Sequence, residues 1–203
     1  MSPVPPFIGF SAVAAPSLLL MYGVLRLIDG MDGHRGPGLA WNVGHTLFFV
    51  AMVLFGFLVL GLRQLVAAGR VRRLANAATV AGLAGVACFL WVILGDLLPD
   101  FGAALPVPDP VRLVGPLLFQ LGVLVLLVVL AAGRPRRLPV WSPVLVFAGF
   151  ATLAINLDLI PIGAALVLAG LTPLAARPAG PRTSGGAVAA TAPAEAQDRP
   201  NGS

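Results

Sequence analysis

Apolar runs alternate with short polar turns along almost the whole chain. They cover about residues 7–28, 39–66, 74–98, 111–132, 140–155 and 159–176. A ~30 Å hydrocarbon core takes about 20 helical residues, so runs of this length and polarity are membrane spans and not buried core helices. Their backbone groups must be satisfied internally, which a helix does. The pattern predicts an all-α fold, a polytopic transmembrane helical bundle of six spans within residues 1–176.

The count turns on the last apolar stretch. Read as one helix, Pro143–Leu171 would be ~43 Å long at 1.5 Å per residue, and would hold Asn156 and Asp158 near mid-membrane. That is the five-span alternative. Read as two helices, the stretch turns tightly at Asn156-Leu157-Asp158 on the membrane surface. An Asp at mid-bilayer costs ~3 kcal/mol on insertion scales, and the surface turn avoids it. Six spans is the preferred reading.

Local signals refine this plan. Pro16 lies inside the first span, and the Asp29–Gly38 stretch, rich in glycine, forms the first loop. Trp41 fits an interfacial anchor. Pro99–Pro110 reads as a loop, and Ser142 with Pro143 as the capped start of the next helix. Ala78, Gly82 and Gly85 give the third span a face of small residues, which lets helices approach closely and points to the bundle centre.

The phrase Ala-Ala-Gly-Arg-x-Arg-Arg-Leu occurs at Ala67–Leu74 and again at Ala131–Leu138. In the same register Leu54-Phe55 matches Leu118-Phe119, and Asp96-Leu-Leu-Pro99 resembles Asp158-Leu-Ile-Pro161. This suggests a parallel duplication of a two-helix hairpin, with an axis along the membrane normal.

Charge supplies orientation. Charged residues are 10% of the chain, against roughly a quarter in soluble domains, and mean hydropathy is +0.95. Arg63, Arg70, Arg72 and Arg73 crowd one loop region; Arg134, Arg136 and Arg137 crowd another. The positive-inside rule places both in the cytoplasm, together with both termini in the six-span reading; the C-terminus falls outside in the five-span one. Asp29, Asp32, Asp96, Asp100, Asp109 and Asp158 then face outward, offset by Arg26, Arg35 and Arg112. All 13 basic side chains are Arg, which with abundant Ala, Gly and Pro indicates a high-GC bacterial origin and a plasma-membrane location. The net charge of +5 does not imply nucleic acid, because the arginines sit in short loops beside spans. Arg70, Arg72, Arg73, Arg134, Arg136 and Arg137 can instead meet anionic lipid headgroups at ~1 kcal/mol each. The chain begins without a basic n-region, so its first apolar run is expected to be a retained span. Residues 177–203 read as a disordered cytoplasmic tail.

Chemistry is sparse. His45 lies ~9 Å inside the second span, and shares i, i+3 and i+4 spacing with Asn42 and Thr46. That face is expected to look into the bundle. His45 is either an interhelical hydrogen bond or a proton or cation relay with Asp96 or Asp158. Asp96 and Asp158 could also meet as a carboxylate pair, or each could simply end a helix where water begins. Asp29, Asp32 and His34, with His45, form a weaker metal-ligand candidate set, set against an ordinary solvated loop. Cys88 and Gln120 read as packing residues. No cofactor motif is present.

These residues leave three functional readings. The first is a small non-enzymatic membrane protein acting through helix packing, lipid, a membrane-protein partner or a homo-oligomer. The second is a proton- or cation-linked transporter or sensor with an acidic outer face. The third, weakest, is a metal-dependent enzyme at the outer surface.

Overall fold

The structure, a computed structural model, describes residues 5–31, 33, 36–67, 69, 71–134, 136 and 138–175. Its helices are α1 (Pro6–Asp29), α2 (Leu39–Leu65), α3 (Arg72–Leu97), α4 (Pro99–Ala104), α5 (Asp109–Ala132), α6 (Trp141–Ile155) and α7 (Ile160–Ala175), with a 3₁₀ turn at Leu157–Leu159 between the last two. No strand occurs among the described residues. Five helical segments are long and apolar enough to cross a membrane: α1, α2, α3, α5 and the segment Leu157–Ala175. The 15 residues of α6 give ~22 Å, short of a full hydrocarbon core. The outer surface is apolar, with Phe10, Val80, Leu113, Leu121 and Phe147 exposed. Such a belt would be an aggregation liability in water and is the natural face toward lipid.

Helix ends follow local rules. Proline, whose missing N–H is harmless in the first turn, starts α1 and α4 at Pro6 and Pro99 and stands at the second position of α5. Inside α7, Pro173 cannot donate to the Ala169 carbonyl; the Thr172 hydroxyl donates to it instead at 2.7 Å. The α6–α7 break is capped by Asn156, whose side-chain Oδ1 accepts from the Asp158 backbone N–H at 2.9 Å.

Neighbouring helices run antiparallel. Gly61 of α2 meets Ile8 of α1, and Gly44 meets Tyr22. Gly82 of α3 meets Val59 of α2, and Gly122 of α5 meets Ala78 and Gly82 of α3. Gly149 and Gly163 close the α6–α7 hairpin backbone to backbone, and Gly9 and Gly23 of α1 meet Ala175 and Ile160 of α7. With α5 against α6, six helices form a closed ring in the order α1, α2, α3, α5, α6, α7. The arginine-bearing turns after α2 and α5 lie at the end that holds the start of α1 and the finish of α7. Every described acid (Asp29, Asp96, Asp100, Asp109, Asp158) lies at the other.

Several expectations are corrected. The third span is not the centre: α3 is a wall helix with the least buried of the five membrane-length windows, 33% against 44% for α1 and α2. Its small face is spent on α5, where Gly85 sits against the Phe119 backbone. Pro99–Pro110 is not wholly loop. Pro99 and Asp100 suit a first helical turn, and Gly102 lets α4 fold back onto Gly95. The Trp91 Nε1–H pins α4 by donating to the Leu105 carbonyl at 3.1 Å. Ser142 does not cap α6. It is fully buried, and its Oγ donates across the hairpin to the Gly170 carbonyl at 2.5 Å. The tail beyond residue 175 lies outside the described residues.

Candidate functional site

The ring encloses a cavity of about 580 Å³ that draws side chains from all six of its helices. Its floor is aromatic. Phe119 of α5 makes edge-on contacts with Phe55, Phe89 and Phe150 at centroid distances of 5.3, 5.8 and 5.6 Å. Tyr22 stacks on Phe48 at 4.6 Å, and Phe48 meets Phe89 edge-on, which continues the aromatic lining toward the mouth. The mouth opens at the acid-bearing end, and a second recess of about 470 Å³ under α4 shares Val92, Asp96 and Arg112 with it.

His45 stands at the mouth, 4% exposed. Its Nδ1 is 2.9 Å from the Trp41 carbonyl one turn back. A carbonyl only accepts, so Nδ1 carries hydrogen and Nε2 is left facing outward from α2. Nε2 lies 3.6 Å from Oδ2 of Asp96, in the last turn of α3. At 3.6 Å the pair is longer than a hydrogen bond, so the imidazole and the carboxylate face each other as an electrostatic contact. The Trp41 ring lies over the imidazole at 4.0 Å and Tyr22 of α1 meets it edge-on at 5.4 Å, which fixes the ring between α1 and α2.

Asn42 and Thr46 do not join His45. Both are exposed, and the Thr46 hydroxyl donates to the Asn42 carbonyl at 2.8 Å. Adjacent helical residues diverge by about 100°, so His45 and Thr46 cannot share one direction. The local hydrogen bond lets Thr46 face outward at little cost.

Asp158 does not pair with Asp96. Its Oδ1 lies 3.8 Å from Nε of Arg26, which joins the last turn of α1 to the turn between α6 and α7. Among the described residues no group of three or more His, Cys, Asp or Glu side chains gathers. Asp32 and His34 lie outside the described residues, as do Arg70 and Arg137. Arg72, Arg73, Arg134 and Arg136 are exposed at the opposite end of the bundle. Gln120 and Cys88 both line the cavity.

Three mouth residues carry more than their sequence setting suggested. Arg26 and Arg112 read there as minor offsets to the outer acids, and Trp41 as an interfacial anchor. All three line the cavity. Arg26 Nε and Trp41 Nε1 are buried N–H donors with no hydrogen-bond acceptor among the described residues. The available signal was an arginine placed three residues inside the end of an otherwise apolar run, at Arg26 before Asp29.

No family model, curated protein or solved structure matches the chain.

Proposed function

We propose that this chain is a six-pass plasma-membrane protein that binds a small molecule between its helices and links that binding to the proton of the His45–Asp96 pair, as a small transporter or sensor. The observation that carries the reading is a central cavity, lined by every helix of the ring, with a buried histidine facing a carboxylate at its mouth. Mostly apolar cavities with a few convergent polar groups are where small molecules bind. Ionisable side chains inside spans mark pathways and proton relays. The packing-only reading loses its main support, because Gly82 and Gly85 are occupied by α2 and α5 of the same chain. No gathering of metal ligands among the described residues favours the enzyme reading.

Parity supports the reading of six passes. A closed ring of antiparallel neighbours needs an even number of helices, and α6 is the member that makes it even. The positive-inside rule then sets the arginine end in the cytoplasm. In a Cys88→Ser background, a cysteine at Gly69 is expected to resist impermeant thiol reagents in intact cells, and one at Asn156 to react. The reverse pattern inverts the orientation; reaction of both from one side removes the sixth pass. The hairpin duplication belongs to the same reading. Phe55 and Phe119, equivalent in the repeat register, meet where α2 and α5 touch, although α3 and α6 differ at 26 and 15 residues.

The proton is tested in liposomes carrying a pH-sensitive dye. Purified protein is expected to admit protons down an imposed gradient, and His45→Gln and Asp96→Asn are each expected to return uptake to near the protein-free rate. Equal uptake by wild type and both variants would remove the proton from the reading.

A further inference from the structure

We infer that the cavity takes a single-chain amphiphile whose anionic head sits between Arg26, Trp41 and Arg112 and whose chain lies in the apolar body below. This rests on the ligand-binding part of the reading above and names the class of its ligand.

Two donors at the mouth lack an acceptor among the described residues. Arg26 Nε and Trp41 Nε1 come from consecutive helices, line the same space, are buried, and have no hydrogen-bond acceptor among the described residues. Buried donors left unpaired cost free energy, and a native site that carries two of them is suited to a ligand oxygen. The Arg26–Asp158 contact does not fill this need, because at 3.8 Å it lies beyond hydrogen-bond distance. Charge sets the sign of the head. The lining contains Arg26 and Arg112 against the single carboxylate of Asp96, and Asp96 already faces His45. Within the lining two guanidinium groups therefore face one carboxylate, with Asp158 beside Arg26 but outside the lining. Arginine is also the side chain best matched to carboxylate and phosphate oxygens.

The rest of the cavity fixes the body of the ligand. Below His45 the lining is Leu19, Met52, Phe89, Phe119 and Phe150, without a charged group. At about 580 Å³ the space falls within the ~300–1,000 Å³ of small-molecule sites. The wall is also thinnest where an amphiphile would arrive. α5 and α6 make the sparsest contact between ring neighbours, and Leu117 of α5 and Ala154 of α6 both line the cavity and are exposed. A molecule already dissolved in the bilayer reaches the cavity through that slot without crossing water.

Photo-crosslinking of the full chain in proteoliposomes tests this. Three diazirine probes share one alkyl chain: a fatty acid, a lysophosphatidic acid and a fatty alcohol. The two acids are expected to label cavity-lining peptides of α1, α2 or α5, and the alcohol about tenfold less, the worth of a charge-assisted hydrogen bond. Labelling by the fatty acid alone assigns a carboxylate head; labelling by the lysophosphatidic acid alone assigns a phosphate. Arg112→Gln is expected to cut acid labelling about tenfold and Trp41→Phe about threefold. Both serve if Arg26→Gln, which also removes the Arg26–Asp158 contact, fails to fold. Equal labelling by alcohol and acids, or labelling confined to outward residues such as Phe57 and Val80, overturns the inference. If acids fail to label while His45→Gln still abolishes proton uptake, only the ligand class is wrong. If acids label the cavity and uptake is unaffected by His45→Gln, only the proton linkage is wrong.

Discussion

Phe119→Ala is expected to destabilise the bundle by about 3 kcal/mol and to remove the cavity floor. Phe119 is 3% exposed and touches Phe55, Phe89 and Phe150, so one ring holds α2, α3, α5 and α6 together at mid-height. Truncating a buried phenylalanine costs ~3–5 kcal/mol in water-soluble cores. The low end applies here, because in a bilayer the loss is packing and edge-on ring contact without the full transfer term. The ring is too large for its three aromatic neighbours to close over, since each is held by a different helix. The measurement is unfolding by titrated SDS in mixed micelles. Phe147→Ala is the control, because Phe147 is 61% exposed on the outer face and its loss should move the midpoint little. Equal midpoints for the two variants would dismiss Phe119 as a hub.

Gly122→Ala is expected to lower the melting temperature by about 5–10 °C, the scale of a 2–3 kcal/mol loss in a chain of this size. A Cβ at Gly122 would lie 2.5 Å from the Ala78 carbonyl oxygen and 2.5 Å from the Gly82 nitrogen. Both atoms are α3 backbone, which cannot rotate away as a side chain would, so the two helices must separate. Overpacking costs ~1–3 kcal/mol, and backbone opposition puts this site at the upper end. Gly56→Ala sets the contrast. Its nearest neighbour is Val86 Cγ1 at 3.6 Å, an ordinary contact, and alanine is the better helix former by up to ~1 kcal/mol. Cys88 reports both, since it is the one cysteine of the chain and packs beneath Gly115 in the α3–α5 seam. Its reaction with a thiol probe during heating tracks the seam opening. Gly122→Ala melting with wild type would mean that the seam is looser than the geometry requires.

Much of the helix pattern was legible because hydropathy and proline placement act locally. The break at Asn156 was also legible, since one polar cluster in an apolar stretch has a large insertion cost wherever it is buried. The short helix α4 escaped because its six residues carry no apolar period, only a proline start. Ser142 escaped because cap and cross-hairpin bond use the same hydroxyl, and only the depth of Gly170 in α7 decides between them. His45 and Asp96 were both readable as charges inside runs. That they face each other, and that Arg26 faces Asp158, depends on ring order, a long-range property no window of sequence contains. The cavity was invisible for the same reason. Its lining is built from residues that, one by one, look like ordinary apolar filling.

The Arg26–Asp158 contact joins the first helix to the turn that precedes the last. During synthesis Arg26 enters the membrane long before its acid exists, and α1 keeps an open flank until α7 emerges. Ring closure is therefore the final event of assembly. A chain halted after α6 would lack both the cover of α7 on α1 and the contact of Asp158 with Arg26.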